Sequence, residues 1–281
     1  MALRNRTYAA GALTVAAALM LTACGSNSSG TGSTTSASAD AAGGAKVVNP
    51  GKLTTCTNIP YEPFQFKDDS GKIVGFDVDI VDLAAKKLGL TQEIVDIDFA
   101  QIKSGAAMAS GKCDVAAAGM TITDERKQNI DFSVPYFDAT QALLAKKGTG
   151  AKSLDDVKAK GLKLGAQAST TGLDYVKGKG LDPTEYADSP KELLALQAGQ
   201  ADVIVQDLPV VLTWLKKPDV AEKFELIASL DTGEQYGVGL KKGADPVLLK
   251  TINETIENAK KDGTYEQIFV KWFGKKPGEL G

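Results

Sequence analysis

Hydrophobic and polar positions alternate between two periods along most of this chain. Residues 53–57 form a short run of strand type, closed by Asn58-Ile59-Pro60, and residues 72–76 can pair near it. From 77 to 88 the period lengthens to that of a helix. Ile80, Val81, Ala84 and Leu88 share one face, and Gly89 stands where a helix ends. A strand over 93–97, a helix over 101–110 stopped by Gly111, and a nearly continuous apolar strand over 114–118 follow. The alternation then restarts. Residues 162–166 read as a strand, 173–177 open a helix, 191–198 form an amphipathic helix ended by Gly199, and 202–205 form a strand. Residues 210–216 are helical and 237–240 return as a strand. A long helix over 245–261 ends at Asp262-Gly263, and a last helix covers 265–272. Strands that alternate with helices predict an α/β fold with largely parallel sheets covered on both faces.

The first residues break this pattern. Arg4 and Arg6 precede an apolar run from Tyr8 to Leu21, shorter than the ~20 residues a membrane helix needs. It fits the core of a secretory signal, and it ends in Leu21-Thr22-Ala23-Cys24-Gly25, which resembles the bacterial lipobox. Residues 1–23 are therefore expected to be a signal peptide and Cys24 to be acylated. Gly25 to Lys46 is nearly all Gly, Ser, Thr and Ala, too polar and too small to fold alone, so residues 24–48 are expected to be a lipidated, flexible tether.

Composition narrows the chemistry. The formal net charge is −3, and residues 1–23 contribute Arg4 and Arg6 without any acid, so no basic stripe is left for nucleic acid. The chain has no histidine, which excludes Ser-His-Asp catalysis and histidine metal ligation. Cys24, Cys56 and Cys113 show no metal-ligand spacing. No metal, cofactor or catalytic residue is expected. An exported chain meets an oxidising compartment, and Cys56 and Cys113 make an even pair once Cys24 is used. Cys56 falls late in one strand and Cys113 at the start of its expected neighbour, so the offset argues against a bond and leaves the pairing open.

Six short stretches carry a family resemblance: Tyr61-Glu62-Pro63-Phe64, Gly75-Phe76-Asp77-Val78-Asp79, Gly119-Met120-Thr121-Ile122-Thr123-Asp124-Glu125-Arg126, Asp131-Phe132-Ser133, Asp262-Gly263-Thr264-Tyr265 and Lys271-Trp272-Phe273-Gly274. In this order and spacing the chain resembles, over about residues 49–276, the type II periplasmic solute-binding proteins (family 3) of polar amino acid ABC transporters, in lipoprotein form. The resemblance implies a two-lobed periplasmic binding protein-like II fold with two hinge-crossing strands. Residues 49–138 with 236–281 would form lobe 1, residues 143–232 lobe 2, with hinges near 138–142 and 233–235.

The resemblance also assigns a site. An α-amino acid brings one carboxylate and one ammonium, and both need partners once a cleft closes over them. Arg126 matches the position that grips the carboxylate, where a guanidinium can hold both oxygens. Thr123 looks like a helix N-cap that would set Arg126 in the first turn; a surface arginine paired with Asp124 or Glu125 is the alternative. The loop from Gln167 through Thr170 and Thr171 matches one that donates to the carboxylate, although Ser169 stands where the family commonly has glycine; a plain capped turn is the alternative. Asp207 matches the ammonium partner, helped by Gly119 and Thr121, and it could also cap the following helix. Tyr61 and Phe99 match aromatic walls, against a core role. Asn58 and Gln206 are neutral and can both donate and accept, which leans the ligand toward a polar uncharged amino acid such as glutamine. A basic amino acid is the runner-up, with Glu62 as its counter-charge if that side chain points inward.

The implied function is extracytoplasmic capture of a polar amino acid by a monomer anchored to the membrane by lipid, and delivery to an ABC permease driven by an ATPase. An enzyme of the same fold, akin to cyclohexadienyl or arogenate dehydratase, and a binding-only sensor are the alternatives. Acylation is directly testable. Cys24→Ser should release protein to the medium or leave it unprocessed. An unmodified Cys24 in the intact mass of membrane-fraction protein would defeat the assignment.

Overall fold

The computed structural model describes residues 39–40 and 44–280; the leader, Cys24 and most of the linker lie outside the described residues. Packed structure begins ahead of Asn49, because Ala45 and Val47 are buried in the core and the Val48 N–H donates to Asp114 at 2.6 Å. Two five-stranded sheets organise the rest, one per lobe.

In lobe 1 the order is Thr91–Asp96, Lys52–Thr57, Val115–Ala116, Gly239–Lys241 and Ile130–Phe132. Its first three strands are parallel, as the alternation predicts, and Gly239–Lys241 enters antiparallel from far along the chain. The helix Phe76–Lys87 buries Phe76, Ile80, Val81 and Ala84 against this sheet and is closed by two late helices, Pro246–Asp262 and Thr264–Phe273. Asp79 fastens that closure by accepting from Lys271 at 2.6 Å and from the Trp272 indole at 2.7 Å. One expected helix is two: Phe99–Lys103 and Ala106–Ala109 are separated at Gly105. Gly105 has φ +77°, and a Cβ there would meet the Asn129 carbonyl at 2.9 Å, so the chain turns where only glycine fits.

Lobe 2 holds Thr184–Tyr186, Leu164–Gln167, Val203–Asp207, Phe137–Lys146 and Phe224–Tyr236 in that order. Its helices include Thr171–Gly178, Ser189–Gln197 and Leu208–Leu215. The last two strands of the sheet are long and antiparallel, and they carry the chain between lobes. They extend well beyond the short crossing segments read from the sequence. The ladder continues from Phe137↔Tyr236 to Lys146↔Phe224, with a register shift between Asp231 and Glu234. At its lobe 1 end, Phe137 and Tyr236 stack at 5.3 Å, and Phe64 packs edge-on to both at 5.0 and 5.4 Å. Offset and edge-to-face arrangements suit the ring quadrupoles. The crossing point therefore rests on buried aromatic rings.

Cys56 and Cys113 form a disulfide with Cα atoms 5.7 Å apart. The ladder does pair Cys56 with Ala116, but Cys113 lies ahead of the strand, in the irregular approach from Gly111, and there the chain comes back within reach of Cys56. Both cysteines are buried beside Ile102, Met108 and Met120. Closing a loop with sequence separation 57 contributes about 4 kcal/mol by restricting the unfolded chain. A Cys56→Ala, Cys113→Ala double variant should melt roughly 10 °C lower. Two free thiols on titrating denatured mature protein would show that the bond does not form.

Candidate functional site

Between the lobes lies a cleft lined by residues of both. Lobe 1 contributes Asn58, Tyr61, Phe99, Gly119, Thr121 and Arg126, and lobe 2 contributes Gln167, Thr170, Thr171, Gln206 and Asp207. Each residue nominated as a ligand contact, the conditional Glu62 apart, thus lies on one wall or the other. Gln65, Ala118, Gln141 and Val205 complete the lining and were not nominated.

Arg126 sits in a four-residue helix, Asp124–Lys127, whose N-cap Thr123 accepts from the Arg126 N–H at 3.1 Å. The guanidinium is buried and turned inward. It donates to the Thr121 carbonyl at 2.8 Å and, across the cleft, to the Ser169 carbonyl at 3.3 Å, and it lies 5.6 Å from the Phe99 ring centroid. Asp124 and Glu125 pair with Lys127 and Lys103 instead, so the surface-pair alternative fails. Burial pulls the Arg126 pKa down, while the fields of Glu234 and Asp174 oppose this.

The opposing loop explains the glycine common in the resembling family. Ser169 has φ +67°, a left-handed conformation that a side chain resists. Thr170 caps the helix Thr171–Gly178, accepting from the Leu173 N–H at 3.2 Å and donating to the Gln167 carbonyl at 2.8 Å. Its hydroxyl is therefore engaged locally, as a capped turn requires. The Thr171 hydroxyl lies 3.2 Å from that of Thr121 across the cleft and donates to Glu234 at 3.1 Å.

Asp207 ends the strand Val203–Asp207 and makes no side-chain cap to the helix it precedes. Its carboxylate points into the cleft, where it accepts from Tyr61, from Tyr236 and from Gln141 at 2.5 Å. All of these donors are neutral. Burial raises the Asp207 pKa, and the Tyr236 and Tyr61 hydrogen bonds only partly counter it. The same burial lifts both phenols well above their usual range. Glu62 does not reach the cavity: it faces Lys217 of lobe 2 at 4.0 Å and is more than a third exposed, so it is no inward counter-charge here.

The arrangement offers a buried cation and helix-end groups on one side and a buried anion on the other. That pattern suits a small dipolar solute held between two lobes. The family model for bacterial extracellular solute-binding proteins, family 3, matches residues 53–275. The chain belongs to this family. It is 34% identical over 273 residues to the "Probable histidine-binding protein" of Neisseria gonorrhoeae, covering 93% of this chain and 94% of that one. It is 30% identical to "ABC transporter glutamine-binding protein GlnH" of Bacillus subtilis (strain 168), covering 98% and 100%. Among solved structures, "An ancestral arginine-binding protein bound to glutamine" is similar with a TM-score of 0.74 and 41% identity, over 81% of this chain and all of that one. Among the described residues of this solute-binding protein, no helix is long and apolar enough to cross a membrane, and no side-chain cluster is arranged to hold a metal ion.

Asp77, quoted in a motif but given no role from the sequence, braces the cleft from behind. Its buried carboxylate accepts from the Gly119 N–H at 2.7 Å and from the Tyr136 hydroxyl at 2.8 Å. Gly119 in turn has φ +55°, and a Cβ there would meet the Tyr61 ring at 2.9 Å, so the wall closes only over glycine. Burial pushes the Asp77 pKa from 3.8 up to about 7. Between those values the folded protein holds a proton that the unfolded chain has released. Asp77 therefore favours folding most at about pH 4 and below, and that advantage is lost as pH rises to 7, by roughly 4 kcal/mol in all. Asp77→Asn should flatten the fall in melting temperature between pH 5 and 7.5. Parallel pH profiles for both proteins would contradict the assignment.

Proposed function

We propose that this solute-binding protein captures a polar α-amino acid between its lobes and delivers it to the permease of an ABC importer. The observation that carries this reading is the buried opposition of Arg126 and Asp207 across one inter-lobe cavity. Arg126 takes the ligand carboxylate, with the loop of Gln167, Thr170 and Thr171 supplying further donors. The role of Thr170 falls to its backbone N–H, since its hydroxyl is engaged. Asp207 takes the ammonium with the Thr121 hydroxyl and the Gly119 carbonyl. Tyr61 and Phe99 wall the side chain. The printed names of the relatives, which specify histidine, glutamine and arginine, support an amino acid as the solute.

Closure in this reading is a hinge motion about residues 138–142 and 233–235, between a lobe of 49–138 with 236–281 and a lobe of 143–232. The register shift at Asp231/Glu234 supports bending there, since a bulge loosens a ladder. The contacts of Tyr61 with Gln206 and Asp207, and of Arg126 with Ser169, cross between lobes, as a closed form requires. The protein acts as a monomer outside the cytoplasmic membrane, held by lipid on Cys24, and an ATPase drives the permease. A dehydratase-like enzyme is less well supported. Its candidate acid, Asp207, is committed to Tyr61, Tyr236 and Gln141, and the chain has no histidine to assist.

Arg126→Ala should abolish binding while the fold survives. Truncating one member of a buried charge pair costs ~2–5 kcal/mol, which is about 30- to 5,000-fold in Kd. Thermal shift across all amino acids, then calorimetry on the hits with both proteins, reads this out. Affinity within a few-fold of the native protein would overturn the carboxylate assignment.

A further inference from the structure

A carboxamide can donate from its nitrogen and accept at its oxygen, so an amide on a cavity wall discriminates only when its partners fix which end faces the ligand. The amides gathered around Tyr61 are fixed in this way. Asn58 donates from Nδ2 to the Ile97 carbonyl at 3.1 Å. Gln65 donates from Nε2 to the Asn58 carbonyl at 3.2 Å. Backbone carbonyls only accept, so neither amide can be reversed without setting oxygen against oxygen. Gln65 is buried, lines the cavity, and has its Oε1 buried with no hydrogen-bond partner. An unpartnered buried acceptor on a ligand cavity marks a place for a donor.

Gln206 is held from behind. Its Nε2 donates to Glu192 at 2.8 Å and to the Ser189 hydroxyl at 3.3 Å, which uses both of its N–H groups. Its Oε1 accepts from the Asp207 N–H at 2.8 Å and lies 2.6 Å from the Tyr61 hydroxyl, whose one proton it shares with Asp207. Glu192 is fully buried, stands outside the cavity lining, and has its own Oε1 unpartnered. An acid left buried in this way is costly unless it does something for its neighbour. Here it anchors the amide nitrogen and so turns the carbonyl toward Tyr61 and the Asp207 N–H on the cleft wall.

We infer that the wall around Tyr61 presents carbonyl oxygens to the ligand, with Glu192 as the positioning residue for Gln206, and so selects a side chain that only donates: a guanidinium in preference to a carboxamide. The inference rests on the amino acid reading of the site above. A guanidinium carries five N–H donors and no acceptor, and it can satisfy Gln65 while sharing the oxygens of Asn58 and Gln206. Its charge meets these carbonyl dipoles, while the Asp207 carboxylate, whose present partners are neutral, is left to the α-ammonium. A carboxamide ligand would set its own carbonyl against the wall and leave it unpaired. This reverses the order of glutamine and arginine that neutral residue types alone suggest.

Calorimetry with arginine, citrulline and glutamine tests it. Citrulline keeps the length of arginine and replaces one terminal nitrogen by a carbonyl oxygen. Native protein should bind arginine at least about tenfold more tightly than either analogue. Gln65→Met should weaken arginine while leaving citrulline nearly unchanged. Glu192→Leu, with its fold checked by melting, should shrink the arginine-to-citrulline ratio, and Glu192→Gln, which retains an acceptor, should restore it. Citrulline or glutamine binding within about threefold of arginine would overturn the inference and leave the carrier reading intact. A ratio unmoved in Glu192→Leu would remove Glu192 from it. Absence of binding by any amino acid would instead fell the proposed function, and this inference with it.

Discussion

A carboxylate buried without a cation organises this cleft. Asp207 is surrounded by hydroxyl and amide donors that satisfy its lone pairs but not its charge. Desolvation makes such a group expensive. The folded chain tolerates it because the donors come from rigid places: Tyr61 from the loop ahead of Phe64, Tyr236 from the strand crossing, and Gln141 from the partner strand. The aromatic packing of Phe64, Phe137 and Tyr236 at the crossing thus supports an electrostatic arrangement as well as a core. In the proposed reading a solute ammonium supplies the missing positive charge.

Arg126 poses the opposite problem with the same logic. It is buried among carbonyls and an aromatic face rather than carboxylates, so its guanidinium keeps capacity for an anion. The two charges sit on different lobes and are not paired with each other. In the proposed reading, separation of the two charges across the cleft lets one small zwitterion answer both at once, which two pre-paired residues would not.

Much of the fold was legible because its signals are local. The helix Phe76–Lys87, the helix Pro246–Asp262 and the strands Lys52–Thr57 and Leu164–Gln167 each announce themselves by period and by a closing glycine or turn. The long crossing strands were less visible. Phe224–Tyr236 alternates between buried or half-buried and exposed positions but contains Gly233 and polar residues at its shift, which reads as loop without its partner. Among the candidate site residues, Arg126 and Tyr61 were nominated through short motifs and Asp207 through its place after an apolar strand. Gln65, Gln141 and Asp77 were not, because their importance lies in what they touch. Gln65 looks like any polar residue after an aromatic until its oxygen is found buried, and Glu192 looks like a solvent-facing helix position until its full burial is seen. The disulfide was obscured for a related reason, since Cys113 belongs to an irregular approach that strand periodicity cannot place.

The insertion of Gly239–Lys241 between Val115–Ala116 and Ile130–Phe132 has a temporal side. The chain is made N-terminus first. Lobe 1 is then left with a gap in its sheet through the arrival of more than a hundred residues, while lobe 2, written continuously between the two crossing strands, has all its parts in hand. The lobe that begins first must finish last. Until the final helices arrive, Phe76, Ile80 and their neighbours stand uncovered, and the oxidation that joins Cys56 to Cys113 can proceed on early chain alone, holding the unfinished half together while it waits.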